Sequence, residues 1–169
     1  TPDGERSMNT YLGACVELGI EDVEEDVVAS SRVTYFEGYL WDPPRAKEAI
    51  RECARVAHAH GQEMSMTLSD SFCVDRYRGE FLDLMRSGTV DIVFANRHEA
   101  LSLYETSDFD TALTALASDC KLAAVTMSEH GSIILSGGKR WLIEPLRVER
   151  VVDTTGAGDL YAAGFLYGY

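Results

Sequence analysis

Basic residues are scarce in this sequence of 169 residues. Fifteen lysines and arginines stand against 28 aspartates and glutamates, which leaves a formal net charge of −13 at pH 7. A surface of this sign repels the backbone of nucleic acids and anionic membrane headgroups, so neither is expected as a partner. The net charge does not exclude a small phosphorylated ligand. Such a ligand is bound by hydrogen-bond donors and metal ions within its site, and the average electrostatic field of the protein matters little there.

Paired cysteines and membrane-length apolar segments are also missing. No signal peptide and no apolar run long enough to cross a bilayer is present. With 46% hydrophobic and 25% charged residues the composition is that of a soluble globular protein, which we expect in the reducing cytoplasm. The cysteines lack the spacing of a zinc site or a disulfide framework: Cys15, Cys53, Cys73 and Cys120.

Two glycine motifs that bind nucleotides are absent. A P-loop requires Gly-Lys-Ser or Gly-Lys-Thr, which occurs nowhere in the sequence. A dinucleotide fingerprint beginning at Gly156 would need a third glycine where Tyr161 stands. It would also need an acidic residue about 20 positions further on, beyond the last residue of the sequence.

What the sequence does contain is a regular alternation of strand and helix patterns. This alternation predicts βαβ units and a mostly parallel sheet, in which ligands bind beyond the carboxyl ends of the strands. The segment 160–169 is apolar nearly all round, which predicts a buried helix. We expect strands near 5–12, 32–40, 63–68, 90–95, 122–127 and 151–152, and a hairpin over 132–143. We expect helices near 44–60, 75–86, 110–118 and 160–169, and a further helix that begins at residue 97.

The most informative stretch is the run Asp-Thr-Thr-Gly-Ala-Gly-Asp from Asp153 to Asp159, just before the last helix. The first turn of a helix has unpaired N–H groups and the positive end of the dipole, and glycines let a phosphate approach them. An acid beside an anion site repels the ligand unless it has a task, and accepting a proton from an attacking hydroxyl fits. For Asp159 alone, complementing the helix dipole is the simpler interpretation.

The whole run resembles the C-terminal signature of the PfkB family of sugar and nucleoside kinases, the ribokinase and adenosine kinase group. The match continues through Ala163, Gly164, Phe165 and Leu166. The resemblance implies an α/β ribokinase-like three-layer sandwich with a mostly parallel sheet, here truncated, that transfers the γ-phosphate of ATP to a primary hydroxyl. Asp159 would then be the catalytic base, in contact with the substrate, and the amides of Gly156, Ala157 and Gly158 the anion hole.

A second motif of the family is matched at Asn96-Arg97-His98-Glu99. The resemblance implies that this Asn-x-x-Glu motif helps to hold Mg²⁺ and the ATP phosphates. A single Glu99 acting through water suffices chemically, since Mg²⁺ keeps several of its waters. On spacing alone a capping box, with Asn96 before the helix and Glu99 in its first turn, is the better explanation. Combined with the glycine turn near Asp159, the motif favours the role in binding Mg²⁺.

Further residues are assigned to the nucleotide or a cation by the resemblance. Thr126 and Gly131 match the strand end and loop that line the nucleotide, although Ser128 stands where the family commonly has a first glycine. Asp153 with the Thr155 carbonyl could bind a monovalent cation such as K⁺, or Asp153 could simply cap an Asx turn.

Two residues are candidates for contact with the acceptor and the transferred phosphate. Phe72 matches an aromatic residue that lies against the base in adenosine-kinase-like members, and its alternative is a place in the core. Arg6 resembles an arginine of the family's lid that reaches the phosphates, and its alternative is a surface salt bridge.

Both ends of the sequence are interpreted as cut, since it begins without methionine and stops within an apolar helix. Residues 1–12 would be a remnant of the lid and substrate side, and residues 13–169 the nucleotide-binding core, incomplete at its C-terminus. The acceptor would be a nucleoside or sugar, adenosine being favoured, and the full-length protein could form a homodimer. The alternatives are a ribokinase- or fructokinase-type sugar kinase, or a non-catalytic fragment that binds nucleotide or a partner.

Overall fold

The predicted alternation of strands and helices produces a six-stranded sheet in the computed structural model, which describes residues 9–169. The strands lie side by side in sequence order. The first four are parallel, and the last two add an antiparallel hairpin. The strands are β1 Val33–Glu37, β2 Glu63–Thr67, β3 Ile92–Asn96, β4 Leu122–Thr126, β5 Ser132–Ser136 and β6 Lys139–Ile143.

The helices connect the parallel strands as expected. One of them, α3, begins earlier than the predicted 75–86, because the Asp70 side chain accepts a hydrogen bond from the Cys73 amide (2.8 Å) and caps an additional turn. The acidic segment 17–26 predicts a solvated surface or a helix start, and the short α1 begins within it. The helices are α1 Glu25–Ser30, α2 Pro44–Ala59, α3 Ser71–Arg86, α4 Arg97–Leu103, α5 Phe109–Asp119 and α6 Ala157–Gly168.

Alternate residues of the central strands face opposite sides of the sheet. From β3, Val93 and Ala95 belong to the large core that includes α2, α3, α4 and α5. Ile92 and Phe94 belong instead to a smaller cluster with Ala162 of α6. Helices therefore cover both faces of a mostly parallel sheet, and the predicted α/β fold with three layers is confirmed.

Three predictions for the chain ends need correction or fall outside the description. Of the strand predicted near 5–12, residues 1–8 lie outside the described part, and residues 9–12 are not in a strand. The pair 151–152 forms no strand, because no described strand lies beside it, and both valines are exposed. The last helix is not buried all round: Ala162 is buried, but Leu160 is 75% exposed, because only the sheet packs against α6 within residues 9–169.

Cys15, Cys53, Cys73 and Cys120 are free thiols. Across residues 9–169, no helix combines the length and the apolar character that a bilayer span requires.

One buried hydroxyl in the sheet gives a test of the packing. Ser65 of β2 is fully buried, and its Oγ has no hydrogen-bond partner among residues 9–169. Removing an unsatisfied hydroxyl abolishes its desolvation cost, so Ser65→Ala should increase the free energy of unfolding by about 1 kcal/mol in urea denaturation. Ser132→Ala is the matched control, because buried Ser132 accepts a hydrogen bond from the Tyr161 hydroxyl (2.8 Å) and its loss should destabilise. A decrease in both variants would contradict this packing around Ser65.

Candidate active site

The candidate site lies where the four parallel strands end. The carboxyl ends of these strands lie at one edge of the sheet, because the register pairs Glu37 with Thr67 and Asn96 with Thr126. The segments that follow β2 and β3 continue directly into α3 and α4, whose N-termini therefore meet at this edge. Asp159, in the first turn of α6, belongs to the same region, since its charge acts on Glu37 at the end of β1.

The glycine turn before α6 has the geometry of an anion-binding helix start. Gly156 is the N-cap residue in the left-handed conformation (φ 73°), which glycine adopts without strain. The Ala157 amide, predicted to belong to the anion hole, donates instead to the Thr154 carbonyl (3.1 Å). The amides of Gly158 and Asp159 have no acceptor among residues 9–169, and a Cβ placed on Gly158 would meet no atom within 4 Å. A phosphate therefore fits this turn, with the Gly158 and Asp159 amides as donors.

Asp153 supports this turn from the preceding segment. Its Oδ1 accepts a hydrogen bond from the Thr155 amide (2.8 Å), which is the geometry of an Asx turn. The Asx turn that the sequence offers as an alternative is therefore present in the structure.

Asn96 and Glu99 form a reciprocal capping box at the start of α4. The Asn96 side chain accepts from the Glu99 amide (2.9 Å), while Glu99 Oε2 accepts from the Asn96 amide (2.8 Å) and Oε1 from its Nδ2 (2.6 Å). The Glu99 residue is only 5% exposed. Burial raises the pKa of Glu99 to about 7, although the Asn96 backbone hydrogen bond opposes the shift and the charges of Asp70 and Glu37 add to it.

In the loop after β4, Ser128 has a backbone conformation that is typical of glycine. Ser128 has a φ of 53°, in the left-handed region that the family's usual glycine would favour. Gly131 has a φ of 85°, and a Cβ there would lie 2.0 Å from the Ile143 carbonyl oxygen, so only glycine fits. Thr126 ends β4, with its Oγ1 3.5 Å from the Ala95 carbonyl, beside Asn96 in the register.

The two acceptor-side candidates have different outcomes. Phe72 lies in the first turn of α3 and is 76% exposed, so the alternative that it fills the core is wrong. Its position on the helix that begins at the carboxyl edge leaves the ring available to a ligand. Arg6 lies outside the described residues.

One residue at this edge was missed by the sequence-based prediction. Glu37, the last residue of β1, accepts hydrogen bonds from the Tyr35 hydroxyl (2.6 Å) and the Ser69 hydroxyl (3.4 Å). Burial and then the Asp159 charge raise the pKa of Glu37. No sequence motif marks this position, because a glutamate at the end of a strand has no functional signature of its own.

Comparison with known proteins agrees with this edge of parallel strands and its glycine turn. The sequence profile described as pfkB family carbohydrate kinase matches residues 1–169. The chain belongs to this family. The predicted ribokinase-like fold is thereby confirmed, because structures of the PfkB family superpose on nearly the whole chain.

Three PfkB-family relatives indicate how far the similarity extends. The adenosine kinase of Sinorhizobium meliloti is 77% identical, with a TM-score of 0.97 over 99% of this chain and 51% of its own. The adenosine kinase of Dictyostelium discoideum is 27% identical over 98% of this chain and 52% of its own. The cytidine kinase of Thermococcus kodakarensis is 37% identical over 55% of this chain and 36% of its own. The chain thus spans about half the length of the relatives that it matches end to end.

The raised pKa of Glu99 predicts a pH-dependent stability. Between pH 4.5, the ordinary pKa, and about pH 7, the folded state holds a proton that the unfolded state has lost. The free energy of unfolding should therefore decrease as the pH rises through this window, by about 3 kcal/mol for Glu99 alone. Glu99→Gln resembles the protonated acid and should lose this dependence, which chemical denaturation at several pH values would measure.

The control for this experiment is Glu48→Gln, which changes an exposed glutamate in the second turn of α2. Its stability profile should run parallel to that of the parent protein. A constant difference in unfolding free energy between the Glu99→Gln and parent proteins across the window would contradict the assignment.

Proposed function

We propose that the protein is an ATP-dependent kinase that phosphorylates a primary hydroxyl of a nucleoside or sugar, with adenosine the favoured acceptor. The observation that carries the proposal is the start of α6, where the Asp159 carboxylate stands beside two amides without acceptors in the described chain. Membership of a family of carbohydrate kinases supports it, as does the likeness to adenosine and cytidine kinases.

Asp159 is the proposed general base. It is exposed on the first turn of α6, and its charge contributes to the raised pKa of Tyr35 and Glu37 in β1, which supports this role. A hydroxyl that attacks phosphorus must lose its proton, and a carboxylate within hydrogen-bond reach accepts it as the new bond forms. The positive end of the α6 dipole stabilises the negative charge of this carboxylate beside the proposed anion site.

The amides of Gly158 and Asp159 are the proposed donors to the transferring phosphoryl group. They are oriented before any ligand binds, so stabilising the developing charge requires little reorganisation. Gly156 contributes through its left-handed backbone, which aims the helix start at the ligand.

Asn96 and Glu99 are the proposed residues for Mg²⁺. Both Glu99 oxygens already accept hydrogen bonds from Asn96, so the residues fit an ion held through its water molecules rather than by direct ligation. Bound ATP would supply the phosphoryl group, and Mg²⁺ would offset its charge.

The remaining assignments follow the same edge of the sheet. We propose that Thr126 and Gly131 line the nucleotide and that the exposed ring of Phe72 packs against the acceptor. Asp153 with the Thr155 carbonyl is the proposed place for K⁺, and Arg6 the proposed clamp on the phosphates. Residues 1–12 would belong to the lid and residues 13–169 to the nucleotide-binding core.

The proposed function is tested with the purified full-length protein. ATP-dependent phosphorylation of adenosine, cytidine, ribose and fructose should be measured in parallel, with adenosine expected to give the highest kcat/KM. Phosphorylation of none of these acceptors would overturn the proposal.

The role of Asp159 gives a specific prediction. Asp159→Asn preserves size but removes the proton acceptor, so kcat should decrease by roughly 10²- to 10⁴-fold. Affinity for ATP should stay the same or increase, because a negative charge beside the phosphates is removed. Steady-state kinetics with calorimetric ATP binding would separate the two effects, and a kcat within a few-fold of the parent would exclude the base role.

Gly158→Val is the contrasting variant in the same turn. The space around Gly158 accommodates a side chain, so the fold should persist, but the side chain covers the approach to the amides. Both ATP affinity and kcat should decrease, unlike the pattern expected for Asp159→Asn.

The metal assignment is tested through Glu99. Glu99→Gln keeps a side chain able to complete the capping box but removes the negative charge, so kcat should decrease and the Mg²⁺ concentration for half-maximal activity should increase. Glu48→Gln should leave both unchanged. An unaltered Mg²⁺ titration for Glu99→Gln would restrict Glu99 to the capping role.

A further inference from the structure

A cleft with basic side chains lies at the end of the sheet opposite to the candidate active site. It has a volume of about 280 Å³ and runs between the C-terminal half of α2 and the segment that joins α3 to β3. The helices of βαβ units end where the next strand begins, so this α2–α3 cleft lies beside the amino ends of the parallel strands. Its lining includes Arg51, Arg55 and His58 of α2 and Ser87 and Thr89 of the joining segment.

The first wall of the α2–α3 cleft is one face of α2. Arg51, Arg55 and His58 follow one another at spacings of four and three residues, which places their side chains on the same side of the helix. All three are exposed, whereas Val56 and Ala57 are buried in the core on the other side. The cleft therefore presents basic groups to solvent in a chain whose net charge is −13.

Arg51 is the basic residue of this wall that has no carboxylate partner. None of the ion pairs formed within residues 9–169 includes it. Its guanidinium lies over the ring of fully buried Trp41, 5.2 Å from the centroid, and this contact restrains the group without using its N–H donors. A planar fork of free N–H donors is the geometry that binds phosphate through two parallel hydrogen bonds.

Arg55 and His58 are oriented by carboxylates and keep one nitrogen each for a ligand. Arg55 donates to Glu52 through Nε (2.8 Å) and Nη2, and Glu25 lies 3.9 Å from the same Nη2. In the described part of the chain, Arg55 Nη1 has no acceptor. His58 Nε2 lies 2.8 Å from Asp91 Oδ2, which leaves Nδ1 on the other side of the ring.

The opposite wall is the end of α3, and it does not use up the arginine donors. Arginines beside a helix C-terminus often donate to its last carbonyls, which would explain the first wall without a ligand. Here the carbonyls of residues 83, 84 and 85 already accept from the backbone amides of residues 87, 90 and 88, at 2.9 to 3.0 Å. The Ser87 and Thr89 hydroxyls share a hydrogen bond of 2.8 Å in which either can donate. When Ser87 donates, the Thr89 proton is free for a ligand.

We propose that the α2–α3 cleft binds a phosphate group, either inorganic phosphate or the phosphate of a small monoester. The Arg51 guanidinium donates to two phosphate oxygens, and Arg55 Nη1 and the Thr89 hydroxyl donate to the others. The volume lies at the lower end of the range for ligand pockets, which restricts the ligand to a small one. This site is separate from the proposed anion hole at the start of α6, because the two lie at opposite ends of the strands.

The test is calorimetric titration of the purified full-length protein with inorganic phosphate at physiological ionic strength. Gly158→Val is the background, because the start of α6 is itself a proposed phosphate site. In this background phosphate should bind with a Kd on the order of 1 mM, as expected for a few charge-assisted hydrogen bonds in an open cleft. Adding Arg51→Gln should weaken binding by at least about 10-fold, the loss expected for hydrogen bonds to a charged group.

Two further variants relate the effect to the geometry of the cleft. Arg51→Lys keeps the charge but lacks the planar fork, so affinity should decrease only in part. Arg45→Gln is the matched control, because Arg45 lies in the first turns of the same helix, pairs with Glu17 (3.2 Å) and does not line the cleft. Its affinity for phosphate should equal that of the background. Amide NMR shifts induced by phosphate at Gly88 and Thr89 should locate the bound anion.

Glycerol 3-phosphate distinguishes the two sources of the phosphate group. Tighter binding than that of inorganic phosphate assigns the α2–α3 cleft to an organic monoester, and weaker binding assigns it to free phosphate. No binding of either probe up to about 20 mM, or binding that Arg51→Gln leaves unchanged, would overturn the proposal. Neither result would affect the proposed kinase function, whose residues lie at the other end of the sheet.

Discussion

The parallel register of the first four strands is the constraint on which the candidate site depends. Because β1 to β4 run in one direction and pair residue by residue, Glu37, Thr67, Asn96 and Thr126 end at one edge. Each chain segment must then turn there and return through a helix. The parallel topology alone therefore places the helix N-termini beside the strand ends.

The consequence at this edge is a concentration of negative charge. Burial raises the pKa of both Glu37 and Glu99; the charge of Asp159 adds to this effect at Glu37, and the charges of Asp70 and Glu37 add to it at Glu99. In a chain with a net charge of −13 no excess of cations compensates them. The fold tolerates the charges by local means: a capping box for Glu99, two hydroxyls for Glu37 and a helix start for Asp159. Such an arrangement is less stable than an apolar one, and it is retained where a ligand or metal ion contributes the missing partners.

Much of the fold could be predicted from sequence because its signals are local. Apolar periodicity located α2 and α5, and the paired glycines located the hairpin turn between β5 and β6. The run from Asp153 to Asp159 likewise indicated a helix start. The errors arise from tertiary contacts that the sequence does not reveal. Val151 and Val152 have the composition of a strand but form none, because no described strand lies beside them. The apolar α6 is packed against the sheet on one side only. Glu37 was missed because a glutamate at a strand end has no motif, and its hydroxyl partners are recognisable only after the chain folds.

The close approach of Gly131 to the Ile143 carbonyl limits which substitutions and insertions the hairpin tolerates at that end. At that end the backbones of the loop and of β6 are so close that residue 131 cannot carry a side chain without displacing the Ile143 carbonyl. At the opposite end, Gly137 and Gly138 form an exposed turn in which an added Cβ meets no atom within 4 Å. Insertions and length changes should therefore accumulate at the distal turn, while the proximal end keeps a constant length.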